Sequence, residues 1–132
     1  MIDWMKIEQK YFDIFRTLFV DGGFTIDKEF NKINVETGYV VSLAGYEEKR
    51  HLRFLSTESL IYILTEKVRQ IENMADDGNN VFIGAWIDGD YVYFDCSIIM
   101  QDRVAAIELA HKNQQKAIYN LKKGESIYLT WN

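Results

Sequence analysis

Two apolar runs, Val81-Phe82-Ile83-Gly84-Ala85-Trp86-Ile87 and Tyr91-Val92-Tyr93-Phe94-Asp95-Cys96-Ser97-Ile98, flank the triplet Asp88-Gly89-Asp90. Asp-Gly between alternating apolar stretches is a strong short-range signal for a two-residue hairpin turn. Whether the turn is 88–89 or 89–90, the facing parity is the same. Val81, Ile83, Ala85 and Ile87 share one face with Val92, Phe94, Cys96 and Ile98. The other face receives Phe82, Gly84 and Trp86 with Tyr91, Tyr93, Asp95 and Ser97. A three-residue loop would slip the pairing by one and mix the two sets. The first face is therefore core, and the second is a mixture of rings, hydroxyls, acid and bare backbone.

Downstream, Asp102 is positioned to cap a helix running to about Gln115, with Val104, Ala106, Ile107, Leu109 and Ala110 inward. Ala117–Leu121 and Ser126–Thr130 form a second hairpin around Lys122-Lys123-Gly124-Glu125. Upstream, Ser56 or Thr57 opens a helix whose stripe is Leu60, Ile63, Leu64, Val68, Ile71 and Met74. Glu58 suits the positive end of its dipole, and Asp76-Asp77-Gly78-Asn79-Asn80 closes it. Phe24–Ile26 and Tyr39–Ala44 have strand character, and His51–Leu55 is expected to pair with Tyr39–Ala44 across the polar 46–50 connection. Residues 27–37 carry no usable pattern.

The amino-terminal stretch 3–19 is an amphipathic helix that Asp3 can cap. Trp4, Ile7, Tyr11, Ile14, Phe15 and Leu18 form one stripe, Met5, Phe12 and Phe19 widen it, and Glu8 lies near the seam. So broad an apolar face either packs on two elements, the expected outcome, or meets a partner, a second copy included. Gly22-Gly23 ends the helix. The order α, short strands, α, ββ, α, ββ implies an α+β fold: an antiparallel or mixed sheet of short hairpins with about three helices against it, in one domain over 1–132.

Composition bounds the class. With 48% hydrophobic and 14% aromatic residues in 132, the chain is too apolar for disorder and long enough for its own core. Its single cysteine cannot form an internal disulfide. Met1-Ile2-Asp3-Trp4 lacks the basic-then-apolar pattern of a secretory signal, and no apolar run approaches the roughly 18 residues of a membrane helix. The cytoplasm is the expected compartment.

The formal net charge is −5, and its distribution is uneven. No Lys or Arg occurs between Arg69 and Arg103, a stretch holding Glu72, Asp76, Asp77, Asp88, Asp90, Asp95 and Asp102. Lys112, Lys116, Lys122 and Lys123 follow in a segment without acids. Such acidity disfavours phosphate-backbone binding and suits a basic surface. The plainer reading is that these acids serve turns and solubility.

Sites for chemistry are sparse. Cys96 falls on the core face, where a thiol is a poor nucleophile. His51 and His111 are isolated, so no metal set is expected, and Asp88-Gly89-Asp90 lacks the ligand spacing of a calcium loop. Phosphate-loop and dinucleotide fingerprints are absent, and no cofactor is expected. The feature of most weight is the second hairpin face, where Trp86, Tyr91 and Tyr93 are either covered by a helix or offer an aromatic platform. Asp88, Asp90 and Asp95, with Asp76 and Asp77, would form its acidic rim. Single-stranded nucleic acid needs a basic groove beside such rings, and here the sequence neighbours are acidic.

The string Gly84-Ala85-Trp86-x-Asp88, Val92-Tyr93-Phe94-Asp95-x-Ser97, Asp102-Arg103, Ala106, Ala110, Asn113-x-Gln115, Ala117-Ile118 and Leu121-x-x-Gly124 resembles a family of uncharacterised small proteins. These are carried by phages, plasmids and other mobile elements of Gram-positive bacteria. The likeness covers residues 84–124 and implies a setting rather than a mechanism: an accessory role, such as blocking a host defence or modifying a host factor. The function expected is thus a small acidic protein that binds a basic-surfaced protein partner through Trp86, Tyr91 and Tyr93. The alternative is a small enzyme or ligand-binding domain whose site is assembled from dispersed Asp, Tyr, His and Arg.

Overall fold

The computed structural model describes the backbone of residues 4–129 and the side chains of residues 8–76 and 78–129. Asp3, the side chains of Trp4, Met5, Ile7 and Asp77, and Thr130 lie outside the described residues, so the expectations that rest on them have no counterpart here.

Helix α1 spans Trp4–Asp21 and stops at Gly22, whose φ of +80° no β-carbon opposes. Strand β1 (Gly23–Ile26) follows, then a turn built on Asp27, whose carboxylate accepts from the amides of Glu29 and Asn31. Strands β2 (Tyr39–Ser42) and β3 (Glu48–His51) precede a 3-10 turn at Leu52–Phe54 and helix α2 (Thr57–Glu72). Ser56 is the cap of α2: its hydroxyl accepts from the Ser59 amide while the Ser59 hydroxyl accepts from the Ser56 amide. A second 3-10 turn, Ala75–Gly78, leads into β4 (Val81–Asp88), β5 (Tyr91–Met100), α3 (Arg103–Lys112), β6 (Ala117–Asn120) and β7 (Glu125–Tyr128).

The β4–β5 hairpin has the expected register, from Val81 opposite Ile98 to Asp88 opposite Tyr91, with Gly89 supplying the positive φ. All strands are antiparallel, in the order β1-β4-β5-β2-β6-β7, and β3 also pairs with β5. Strand β5 is the axis. One edge is filled by β4; the other is shared by β3, opposite 91–94, and β2, opposite 97–100. Between them residues 43–47 swing out, tied by the Leu43 amide to the Cys96 carbonyl at 2.8 Å. The buried ammonium of Lys67 on α2 donates to the Tyr46 carbonyl and to Gln70 Oε1, fastening that excursion from within.

This corrects the expected pairing of 51–55 with 39–44. The strand is Glu48–His51, most of it within the stretch expected to be a connection, and Leu52–Phe54 is a 3-10 turn. Strands β3 and β2 both run antiparallel to β5 and lie end to end along it, so they cannot pair with each other.

All three helices occupy one face. Ile14 and Leu18 of α1 and Leu60, Ile63, Leu64 and Ile71 of α2 pack on Ile83, Ala85, Val92, Phe94 and Cys96. On the same side, Ala106 and Ala110 of α3 meet Val41, Ile98 and Ile118. Helix α1 contacts the sheet and α2, yet Phe12 and Phe19 stay 60% and 47% exposed. Helix α3 ends at Lys112, short of Gln115, with Gln114 at φ +57° closing it. Val104 is 63% exposed, contrary to expectation. The helix touches the sheet through Ala106 and Ala110, and a residue two before Ala106 points about 200° away from it. Among the described residues no helix is long and apolar enough to cross a membrane.

Candidate partner-binding face

The alternation that sends Val92, Phe94 and Cys96 into the core sends Tyr91, Tyr93, Asp95 and Ser97 to the other side of the sheet. No described helix covers that side. Trp86 is 42% and Tyr91 37% exposed, and Tyr93 is half-buried. Trp86 lies directly opposite Tyr93, and their rings stack with centroids 5.4 Å apart and planes within 14°. Tyr91 pairs instead with Asp88.

Strand β3 extends the row from the other edge of β5. Lys49 is opposite Tyr93 and His51 opposite Tyr91. The Lys49 ammonium stands 4.0 Å above the Tyr91 ring and 5.6 Å from that of Tyr93. The His51 ring meets Tyr91 edge-on at 5.0 Å and Phe54 at 6.0 Å, and Arg53 lies 5.9 Å from the Phe54 ring. Rings and cations thus run continuously from Trp86 to Phe54. His51 Nδ1 also accepts from the Arg53 amide, which fixes the ring at the start of the 3-10 turn.

No protein-family model, curated protein or solved structure matches the chain. The geometry alone therefore carries the functional argument.

The acids are distributed otherwise than the sequence suggests. Asp88 and Asp90 are exposed at the hairpin tip, beside Tyr91. The turn carrying Asp76 and Asp77 precedes β4, and the eight residues of that strand separate it from the tip. At about 3.3 Å per residue that is more than 20 Å, too far to rim the same rings. Asp95 is not a rim residue at all: only 4% exposed, its carboxyl lies over the bare backbone of Gly84 and accepts from Ser42 Oγ at 2.6 Å. Burial pushes its pKa above the usual carboxylate range, and the Ser42 hydroxyl opposes that rise. Beside it, Ser97 Oγ is buried with no hydrogen-bond partner.

Lys49 escaped the sequence reading because Glu48-Lys49-Arg50-His51 has no apolar alternation to announce a strand. The same reading puts His51, Arg53 and Phe54 in a strand beside 39–44 rather than next to these rings. They turn an acidic rim into a face of both signs. Cys96 is fully buried in the core, its thiol pushed up to about 11 by desolvation, and so is no nucleophile at neutral pH. Among the described residues no three His, Cys, Asp or Glu side chains gather as a metal site. A shallow groove of about 220 Å³ between α1 and the 24–32 segment, lined by Lys10, Phe24, Phe30 and Lys32, contains none of the rings above.

Proposed function

We propose that this chain works by binding another protein through the ring-bearing end of its outer sheet face, where Trp86 and Tyr91 are exposed. The observation that carries the reading is Trp86, exposed and stacked on the half-buried Tyr93, on a side to which no described helix contributes. Large rings left in water cost hydrophobic free energy, so a sheet face that keeps them is accounted for when a partner covers them. Trp, Tyr and Arg are also the residue types that dominate binding energy at protein interfaces. The partner brings apolar surface to the rings and basic groups to the Asp88–Asp90 tip. On the resemblance read in residues 84–124 we further propose an accessory role in a bacterial cytoplasm, such as inhibition of a host defence.

Single-stranded nucleic acid also stacks on aromatic faces, and Lys49 and Arg53 favour it locally. Asp88, Asp90 and a net charge of −5 oppose it, which makes a protein the better fit.

The test compares the full chain with Trp86→Ala and with Phe12→Ala, a control on the helical side, as baits in a Gram-positive lysate. A protein captured by the full chain is then purified and titrated. Trp86→Ala is expected to weaken its binding at least about tenfold while the chain stays folded, with only the modest drop in melting that losing the Tyr93 stack brings. Phe12→Ala leaves binding intact. Equal binding by Trp86→Ala, or tight binding of a single-stranded oligonucleotide in place of a protein, overturns the reading.

A further inference from the structure

In an antiparallel ladder, hydrogen-bonded pairs alternate with pairs whose amides and carbonyls point away from the shared edge. The Leu52 amide donates to the Asp90 carbonyl at 2.8 Å, so 52 and 90 form a hydrogen-bonded pair. Stepping back by twos along the β3–β5 register, Arg50 with Val92 and Glu48 with Phe94 are hydrogen-bonded pairs as well. Lys49 and His51 lie between them, and their backbone groups face outward. Among the described residues β3 pairs with β5 alone. The other neighbour of β5 on this side, β2, is already flanked by β6. The Lys49 carbonyl has only a long contact of 3.3 Å from the Arg50 guanidinium. The end of the sheet nearest the rings therefore presents an open strand edge.

Edges of this kind usually carry charge to repel further strands. Here the charge is selective. Lys49, Arg50 and Arg53 are exposed, and the one acid of the strand, Glu48, is already held by Arg50 at 3.3 Å. Two copies of β3 laid antiparallel would oppose cation to cation, which is destabilising across a ladder. An acidic strand meets no such cost.

We propose that β3 is the docking edge for an extended segment of the partner protein that carries acidic side chains. The segment adds as a further strand, bonding to the backbone of Lys49 and His51. Its alternate side chains lie on the outer face, where a carboxylate meets Lys49 and its neighbours continue over Tyr91. The inference rests on the reading of the outer face as partner-binding and specifies how the partner lies on it.

The experiment selects a random dodecapeptide display library against the full chain and measures the enriched peptides. They are expected to alternate Asp or Glu with β-branched or aromatic residues, and to slow hydrogen exchange at the amides of Lys49 and His51. Lys49→Pro deletes one outward N–H without touching a bond to β5, and is compared with Lys49→Ala, which loses the same ammonium. Binding to Lys49→Pro is expected to fall about tenfold below Lys49→Ala. The exchange measurement on the unaltered chain decides the matter if the proline variant is unfolded. Enriched peptides that are basic, protection at other amides, a folded Lys49→Pro that binds like Lys49→Ala, or a dimer formed through β3 would each overturn strand addition. Peptides that lose affinity with Trp86→Ala but not with Lys49→Pro overturn it alone and leave the outer face as the binding site.

Discussion

Asp95 is the residue where burial and charge conflict most directly. Its buried carboxyl lies over Gly84, with the Ser42 hydroxyl as a hydrogen-bond donor. In the unfolded chain it ionises near the usual value of about 3.9. Desolvation raises that value in the folded state, so in the window between the two the folded chain holds the extra proton. Stability therefore falls as pH rises from the unfolded pKa through the folded one, and the penalty is absent below both. Asp95→Asn keeps the shape and an acceptor for Ser42 while removing the titration. Thermal melts across pH are expected to show the variant more stable at pH 8, with the gain shrinking to nothing near pH 4. A variant less stable than the parent at pH 8 would mean that the carboxylate is better satisfied than its burial implies.

At the scale of elements, β4 and β5 fit because one of the two facing residues has no side chain. A β-carbon on Gly84 would run into Asp95 Oδ1, so Gly84→Ala is expected to destabilise by about 1–3 kcal/mol, as overpacking does. In an Asp95→Ala background most of that cost should vanish, and urea denaturation of the four chains gives the coupling directly. Equal costs in both backgrounds would locate the strain elsewhere. The hairpin itself was legible in the sequence, since alternation and Asp-Gly specify register without help from the rest of the chain. Helix α2 was legible from its three-and-four apolar stripe, with Ser56 or Thr57 marking its start, and the structure makes Ser56 the cap. Strand β3 was not. Its residues are charged, and it is a strand because ten-residue β5 leaves Tyr91–Phe94 without a neighbour once four-residue β2 has paired with the far end. Val104 misled for a related reason: apolar character in the first turn of α3 says nothing about which arc of the helix reaches the sheet.

For the whole molecule, the deciding fact is that α1, α2 and α3 all lie on one side of the sheet. The rings on the hairpin's second face were visible in the sequence, but their exposure depends on where helices far along the chain come to rest. The same holds for the charges. Acids counted together between Arg69 and Arg103 separate in space, with Asp88 and Asp90 at one end of β4, the Asp76 turn at the other and Asp95 buried. Among the described acids of that stretch only the tip pair is both exposed and close to Tyr91, which makes its contribution separable. Asp88→Lys with Asp90→Lys adds cations where the partner is proposed to bring its own. Exposed charges at an interface rim act mainly on encounter, so the association rate with the purified partner is expected to fall several-fold at low salt while dissociation changes little. The deficit should close as ionic strength passes about 0.15 M, where the screening length is about 8 Å. Melting should not drop, because both side chains stand in water at a turn. Stopped-flow binding over a salt series makes the measurement, and an association rate indifferent to the reversal at every salt concentration would remove the tip from the contact and leave the rings and the β3 edge to hold the partner alone.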